Sequence, residues 1–222
     1  MSELDLKLAP SQDAVLATNR VLRNTYLLLS LTLLFSAAMA GLSMAMGLSH
    51  TVGLVLMLVA FGLLFWVHKA ADSSNGIIAI FAFTGCMGLA LGPIIGFYLA
   101  LSSGPSIVMQ AMGGTALIFL TLSGYVLTTR KDFSFMGGFL MTGMIVVIVA
   151  MLANLFFQIP ALSLAMSGAI VMIMSGFILF DTSRIIHGGE TNYIRATVGL
   201  YLSIYNLFTS LLHLLGAFGG DE

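Results

Sequence analysis

Apolar positions run almost unbroken along most of the chain, and they fall into seven stretches that contain no Asp, Glu, Lys or Arg: residues 24–46, 51–67, 76–101, 107–127, 133–157, 162–180 and 196–218. A helix rises about 1.5 Å per residue, so roughly 20 such residues cross the hydrocarbon of a bilayer. Within the stretches, apolar residues follow one another instead of alternating with polar ones, which predicts transmembrane α-helices and not the strands of a membrane barrel. The fold class that follows is an all-α membrane protein, a bundle of seven transmembrane helices.

The connections alternate in character. The loops after the first, third and fifth stretches carry no formal charge. All eight basic residues lie on the other side: Lys7, Arg20 and Arg23 before the first stretch, Lys69 after the second, Arg130 and Lys131 after the fourth, and Arg184 and Arg195 around the sixth connection. Basic loops stay in the cytoplasm, so the N-terminus is expected inside the cell and the C-terminus, after seven crossings, in the periplasm. Residues 1–21 are polar, mixed in charge and contain Pro10, and they lack the apolar core of a signal peptide. They are expected to form a mobile cytosolic tail, followed by a transmembrane domain over 22–218 and a short periplasmic end at 219–222.

Composition sharpens this picture. The 222 residues are 59% hydrophobic and only 8% charged, against about 25% charged in an average soluble domain. A net charge of -1 leaves no cationic surplus for phosphates, which argues against nucleic-acid binding and leaves the lipid bilayer as the constant partner. The single cysteine, Cys86, excludes an internal disulfide and a CxxC pair. The longest remaining connection, 181–195, has fifteen residues, too few for a soluble catalytic domain. No Gly-x-Ser-x-Gly elbow is present, the last stretch has no lysine for a retinal Schiff base, and the His187/Glu190 spacing lacks further ligands for zinc. Neither an enzyme, a metal centre nor a cofactor is expected.

Three features inside the stretches carry chemistry. Gly85, Gly88, Gly92 and Gly96 recur every three or four residues in the third stretch, with Pro93 among them, and offer one face to a closely packed neighbour. In the last stretch Gly199, Ser203, Asn206, Ser210 and His213 share a face that cannot prefer lipid. Either interhelical hydrogen bonds or a hydrated path would satisfy it. Asp181 closes the sixth stretch and His68 ends the second on the same side. If those two helices pack together, a carboxylate and an imidazole meet at the inner mouth of the bundle, where protonation can make or break a contact.

Specific segments then narrow the reading: Leu22-Arg23-Asn24-Thr25-Tyr26, Tyr125-Val126-Leu127-Thr128-Thr129-Arg130-Lys131-Asp132 and, above all, Ile185-Ile186-His187-Gly188-Gly189-Glu190-Thr191-Asn192-Tyr193-Ile194-Arg195-Ala196-Thr197. With these the chain resembles the Bax inhibitor-1 family over nearly its whole length. The resemblance implies a bacterial inner-membrane protein whose last helix is central and wrapped by the other six. It also implies two functions. One is binding and modulation of the membrane-anchored, ATP-driven protease FtsH, with the protein itself a slow substrate and with the translocon subunit SecY as a competing one. A processive protease needs an unstructured handle, which residues 1–21 supply on the cytosolic side. The polar segment His187, Gly188, Gly189, Glu190, Thr191, Asn192, Tyr193 and Arg195 is the other candidate for partner contact.

The second implied function is a pH-sensitive calcium leak. Channel-like relatives gate it with two aspartates, on the sixth and seventh helices, and an arginine at the end of the second. Asp181 matches the first aspartate, but Ser203 stands at the second and His68 at the arginine. Two close carboxylates titrate as a coupled pair and hold a divalent ion together. A lone aspartate does neither well, so protease modulation ranks above the leak.

Overall fold

The computed structural model describes residues 12–219. Seven helices account for nearly all of them: α1 (Gln12–Ala45), α2 (His50–Ala70), α3 (Asn75–Leu99), α4 (Gly104–Thr129), α5 (Gly137–Phe157), α6 (Pro160–Ile186) and α7 (Tyr193–Gly219). A single 3-10 turn, Ser134–Met136, leads into α5. All seven helices are long and apolar enough to span a membrane. Each expected stretch coincides with one of them, but α1, α2, α4, α6 and α7 run further than the uncharged runs, whereas α3 stops at Leu99 and α5 starts only at Gly137. A helix ends where its backbone hydrogen bonds end, and a charged side chain near the bilayer surface does not interrupt them.

That difference corrects two expectations. Of the tail expected at 1–21, residues 12–21 belong to α1 and residues 1–11 lie outside the described part, as do 220–222 of the expected periplasmic end. At the other site, α6 continues for six residues past Phe180, so Asp181 stands inside the helix and the connection before α7 shrinks from fifteen residues to six, 187–192.

The last helix is the hub. α7 packs against α1, α2, α3, α4 and α6. The resemblance implied all six neighbours; α5 is the exception, because it lies outside α6 and reaches α7 nowhere. Val147 of α5, Ile170, Met174 and Ile178 of α6 and Leu207 of α7 form a small cluster there, while a larger one joins α1 to α4 with α7. Large apolar side chains such as Leu58, Leu117 and Phe156 remain exposed on the outer faces, as a lipid-facing surface requires.

In lipid, apolar burial does not drive helices together, so close packing of small residues has to. The α3 glycine row does this against α1. A Cβ on Gly88 would fall on the backbone of Ser36, one on Gly92 would meet Ser43, and one on Gly85 the ring of Phe35. Gly96 faces open space. α2 closes the other side of α3, where Gly53 lies against Ala90 and Pro93, and α3 stays helical through Pro93.

The seam yields a sharp contrast. Gly88→Ala should lower stability by about 1–3 kcal/mol, the usual cost of overpacking a rigid contact, because the atoms it meets are backbone. Gly96→Ala should leave it unchanged or raise it slightly, since a helical glycine is replaced in open space. Thermal unfolding of both variants in the same detergent measures the difference.

Candidate functional site

The polar groups of α7 occupy two faces. Ser203 and Ser210 of the first are buried, the half-buried Asn206 donates to the Leu202 carbonyl at 2.8 Å, and His213 Nδ1 lies 2.8 Å from Ser167 Oγ on α6. At the opposite end of the same face Gly199 sits beneath Asp181 of α6: a Cβ there would come 2.9 Å from Asp181 Oδ2. The row expected from the sequence therefore runs along the antiparallel α6–α7 seam.

The other face was not anticipated. Thr197, Tyr201 and Tyr205 recur every four residues and all are buried. Thr197 Oγ1 donates to the Tyr193 carbonyl at 2.7 Å and lies 3.3 Å from the Thr25 carbonyl of α1. The Tyr201 hydroxyl bonds Ser36 of α1 at 2.7 Å and reaches the Thr84 carbonyl of α3 at 3.5 Å. A third polar group joins three helices without a side chain from α7: Tyr26 of α1 bonds Ser123 of α4, and Thr182 of α6 lies 3.4 Å from the Tyr26 hydroxyl and 3.3 Å from Ser123 Oγ. The spacing of 197, 201 and 205 was a readable signal; the Tyr26–Ser123–Thr182 group was not, since each member stands alone in its own helix.

Asp181 adjoins Thr182 but makes no hydrogen bond or ion pair among the described residues. The structure does not bring it to His68. The imidazole is exposed, with Nδ1 2.9 Å from the Leu64 carbonyl of its own helix, and α2 and α6 do not touch. The carboxylate–imidazole switch thus has no geometry to work through.

The short α6–α7 connection is tied down at both ends. Asn192 caps α7, its Oδ1 accepting from the Ile194 and Arg195 amides at 2.9 and 3.1 Å. Its Nδ2 donates to the Ala71 carbonyl and to Asp72 Oδ1 after α2, at 2.9 and 2.8 Å, and Arg195 pairs with the same Asp72. Glu190 accepts from the Asn192 amide and faces Arg184, whose guanidinium also donates to the Gly189 carbonyl. Gly188 adopts φ +76°, a left-handed turn that favours glycine. Of the segment expected to meet a partner, His187, Gly188, Gly189 and Thr191 are exposed, and Glu190, Asn192, Tyr193 and Arg195 are partly covered.

A second tie reaches the α4–α5 connection. Ser183 Oγ accepts from the Phe133 amide at 2.8 Å, and Asp132 Oδ1 accepts from the Ser134 amide at 2.8 Å and from Ser183 Oγ at 3.3 Å. The hydrogen bonds from Ser134, with smaller contributions from His187 and then from Ser183, hold the Asp132 carboxyl below its ordinary range. The helix ends and connections that carry Lys69, Arg130, Lys131, Arg184 and Arg195 are in this way gathered at one end of the bundle.

Two outcomes follow. Asn192→Ala removes a helix cap together with both bonds to the α2–α3 connection and should destabilise by about 0.5–2 kcal/mol, whereas Arg195→Ala, which breaks only an exposed ion pair, should cost about 0–1 kcal/mol; chemical unfolding in detergent ranks them. Asp132 has a depressed folded-state pKa, so the stability it adds is present above its unfolded value and disappears as pH falls through the folded one. Asp132→Asn should therefore lower the thermal midpoint at pH 7, and the gap from the parent should close towards pH 3.

The chain is similar to known proteins over nearly its whole length. The family described as "Inhibitor of apoptosis-promoting Bax1" matches residues 18–220. The chain is 57% identical over 204 residues to a protein of Escherichia coli K12 named modulator of FtsH protease YccA, covering 91% of this chain and 92% of that one; the same identity holds to its counterpart in strain CFT073, named an inner membrane protein. It is 52% identical over 213 residues, 96% of each chain, to an uncharacterized membrane protein of Vibrio cholerae. With seven membrane-spanning helices and relatives of this kind, the protein is a multi-pass protein of the bacterial inner membrane, and it belongs to the Bax inhibitor-1 family.

Proposed function

We propose that the chain binds the protease FtsH and limits its activity on other membrane proteins, acting as a regulator and not as a catalyst. The observation that carries this reading is the near full-length identity to the E. coli modulator. The bundle gives the role a physical basis. Extracting α7 means breaking its contacts with five helices and exposing two faces of hydroxyl groups to hydrocarbon, where each lost hydrogen bond is costly. A substrate that yields slowly occupies the protease and shields others, SecY among them. In this reading the end that gathers the basic connections faces the cytoplasm, and the exposed His187–Gly189 turn and Thr191 meet the enzyme there, together with residues 1–21.

The test is co-purification with FtsH in mild detergent, followed by timed degradation of the full chain and of a chain lacking residues 1–11, a deletion that leaves every described helix intact. Association of both, with degradation several-fold slower in the shortened chain, supports the proposal and puts initiation at the N-terminus. No association, while FtsH degrades other membrane substrates, overturns it.

A cation leak is the second reading, favoured by one observation: the Asp181 carboxylate lies between α6 and α7 with no partner among the described residues. The absence of a second acid at Ser203 and the distance of His68 from the α6–α7 seam weigh against it. Calcium flux into liposomes that falls in Asp181→Asn relative to the parent would support this reading; equal flux in the two would remove it.

A further inference from the structure

Helices α1 and α4 make no close backbone approach to each other. Near the basic end they touch through Tyr26, which bonds Ser123 and lies 6.2 Å from the Phe119 ring. Towards the other end they part and leave a crevice of about 550 Å³ floored by α3 and α7. This volume falls within the roughly 300–1,000 Å³ of pockets that hold small ligands.

The chemistry of the crevice selects its occupant. Ile204 and Phe208 of α7 form part of the floor and are each only 9% exposed, while Gly41, Met112 and Leu120 at the mouth are exposed on the lipid-facing surface. Four lining residues carry hydroxyls. Ser36 and Tyr201 bond each other, and Thr115 donates to the Ala111 carbonyl. The Tyr205 hydroxyl is buried and has no partner among the described residues. A water needs two to four polar partners, and apolar cavities stay dry, so the site is unsuited to water or to a hydrated ion. It is continuous with the surface that meets the bilayer interior, where hydrocarbon chains are the neighbouring molecules.

We propose that this crevice is a binding site for one acyl chain of a membrane lipid, which enters sideways between α1 and α4 and packs against Ile204 and Phe208. The chain is held by contact area alone and takes no hydrogen bond from Tyr205. The site is separate from the α6–α7 seam and from the connections assigned to the protease, so it stands or falls independently of the proposed function. A lodged chain would brace α1 against α4 where the protein supplies no contact of its own.

The experiment uses the full-length protein in nanodiscs doped with a phosphatidylethanolamine that carries a photoactivatable diazirine midway along one acyl chain; labelled residues are mapped by mass spectrometry. Labelling of Ile204 and Phe208, in addition to outward residues such as Leu54 and Leu58 of α2, is expected. Ala37→Phe with Ala116→Phe fills the crevice and should reduce label at Ile204 and Phe208 by on the order of tenfold, the penalty of an overpacked cavity, with label on α2 unchanged. If the double variant fails to elute as a single species, Ala116→Phe alone replaces it. Tyr205→Phe should label like the parent. No label at Ile204 and Phe208, equal label in the filled variant, or loss of label in Tyr205→Phe, which would mean a hydrogen-bonded ligand instead of a bare chain, each overturns the proposal.

Discussion

A hydroxyl in hydrocarbon has no water to fall back on, and this constraint places α7. Its polar side chains emerge on two faces, one carrying Ser203, Asn206, Ser210 and His213 and the other Thr197, Tyr201 and Tyr205. A helix with one polar face can lie at the edge of a bundle and turn that face inward. A helix with two has to be enclosed on both sides. α6 meets the first face through Ser167, and α1 and α3 meet Thr197 and Tyr201 of the second through Ser36 and the Thr25 and Thr84 carbonyls, while the Tyr205 hydroxyl has no partner among the described residues. The helices with few polar groups to settle go outside; α5 buries only Leu140 and Val147 among its residues and packs on α6 alone.

Enclosure needs helices that approach closely, and here the glycine row of α3 contributes what the bilayer does not. With Gly88 against the Ser36 backbone, α1 comes near enough for the Ser36 hydroxyl to reach Tyr201 across the bundle. The close α1–α3 seam and the buried tyrosine are two parts of one arrangement: a side chain at Gly88 would push away the residue that satisfies α7. At the basic end the same coupling continues outside the membrane, where Asn192 caps α7 and holds Asp72, and Ser183 holds the α4–α5 connection.

Much of this was legible in the chain. Seven uncharged runs and a one-sided distribution of basic residues defined the number and order of the spans, because hydrocarbon tolerates so few alternatives. The glycine row predicted a close approach, which Gly85, Gly88 and Gly92 make against α1 while Gly96 does not, and the Ser203–His213 row, read as either an interface or a hydrated path, has His213 against Ser167 of α6. What failed did so for identifiable reasons. Ending helices at the first charge cut α6 short at Phe180 and turned Asp181 and Arg184 into loop residues, although a helix end is set by backbone hydrogen bonding. The meeting of His68 with Asp181 was conditional on the second and sixth helices packing together, which the order of spans does not determine, and α2 packs on α3 without reaching α6. The Tyr26–Ser123–Thr182 group draws one residue from each of three helices, and no periodicity within a single helix encodes it.

The surroundings of Asp181 differ from those that the resemblance implies for channel-like relatives. In channel-like relatives the resemblance places a second carboxylate where Ser203 stands, and two acids facing each other across the α6–α7 seam form a unit that responds to protons and divalent ions. Here Asp181 instead faces the bare surface of Gly199, and Ser203 is a buried hydroxyl on the same face. The seam keeps its packing and loses the pair. Next to it, Thr182 and Ser183 tie α6 to α1, α4 and the α4–α5 connection, so the turn of α6 that follows Asp181 is held by side-chain contacts to three other parts of the bundle. A bundle closed in this way resists being moved at its basic end, which suits the proposed role of a protein that a protease pulls apart slowly.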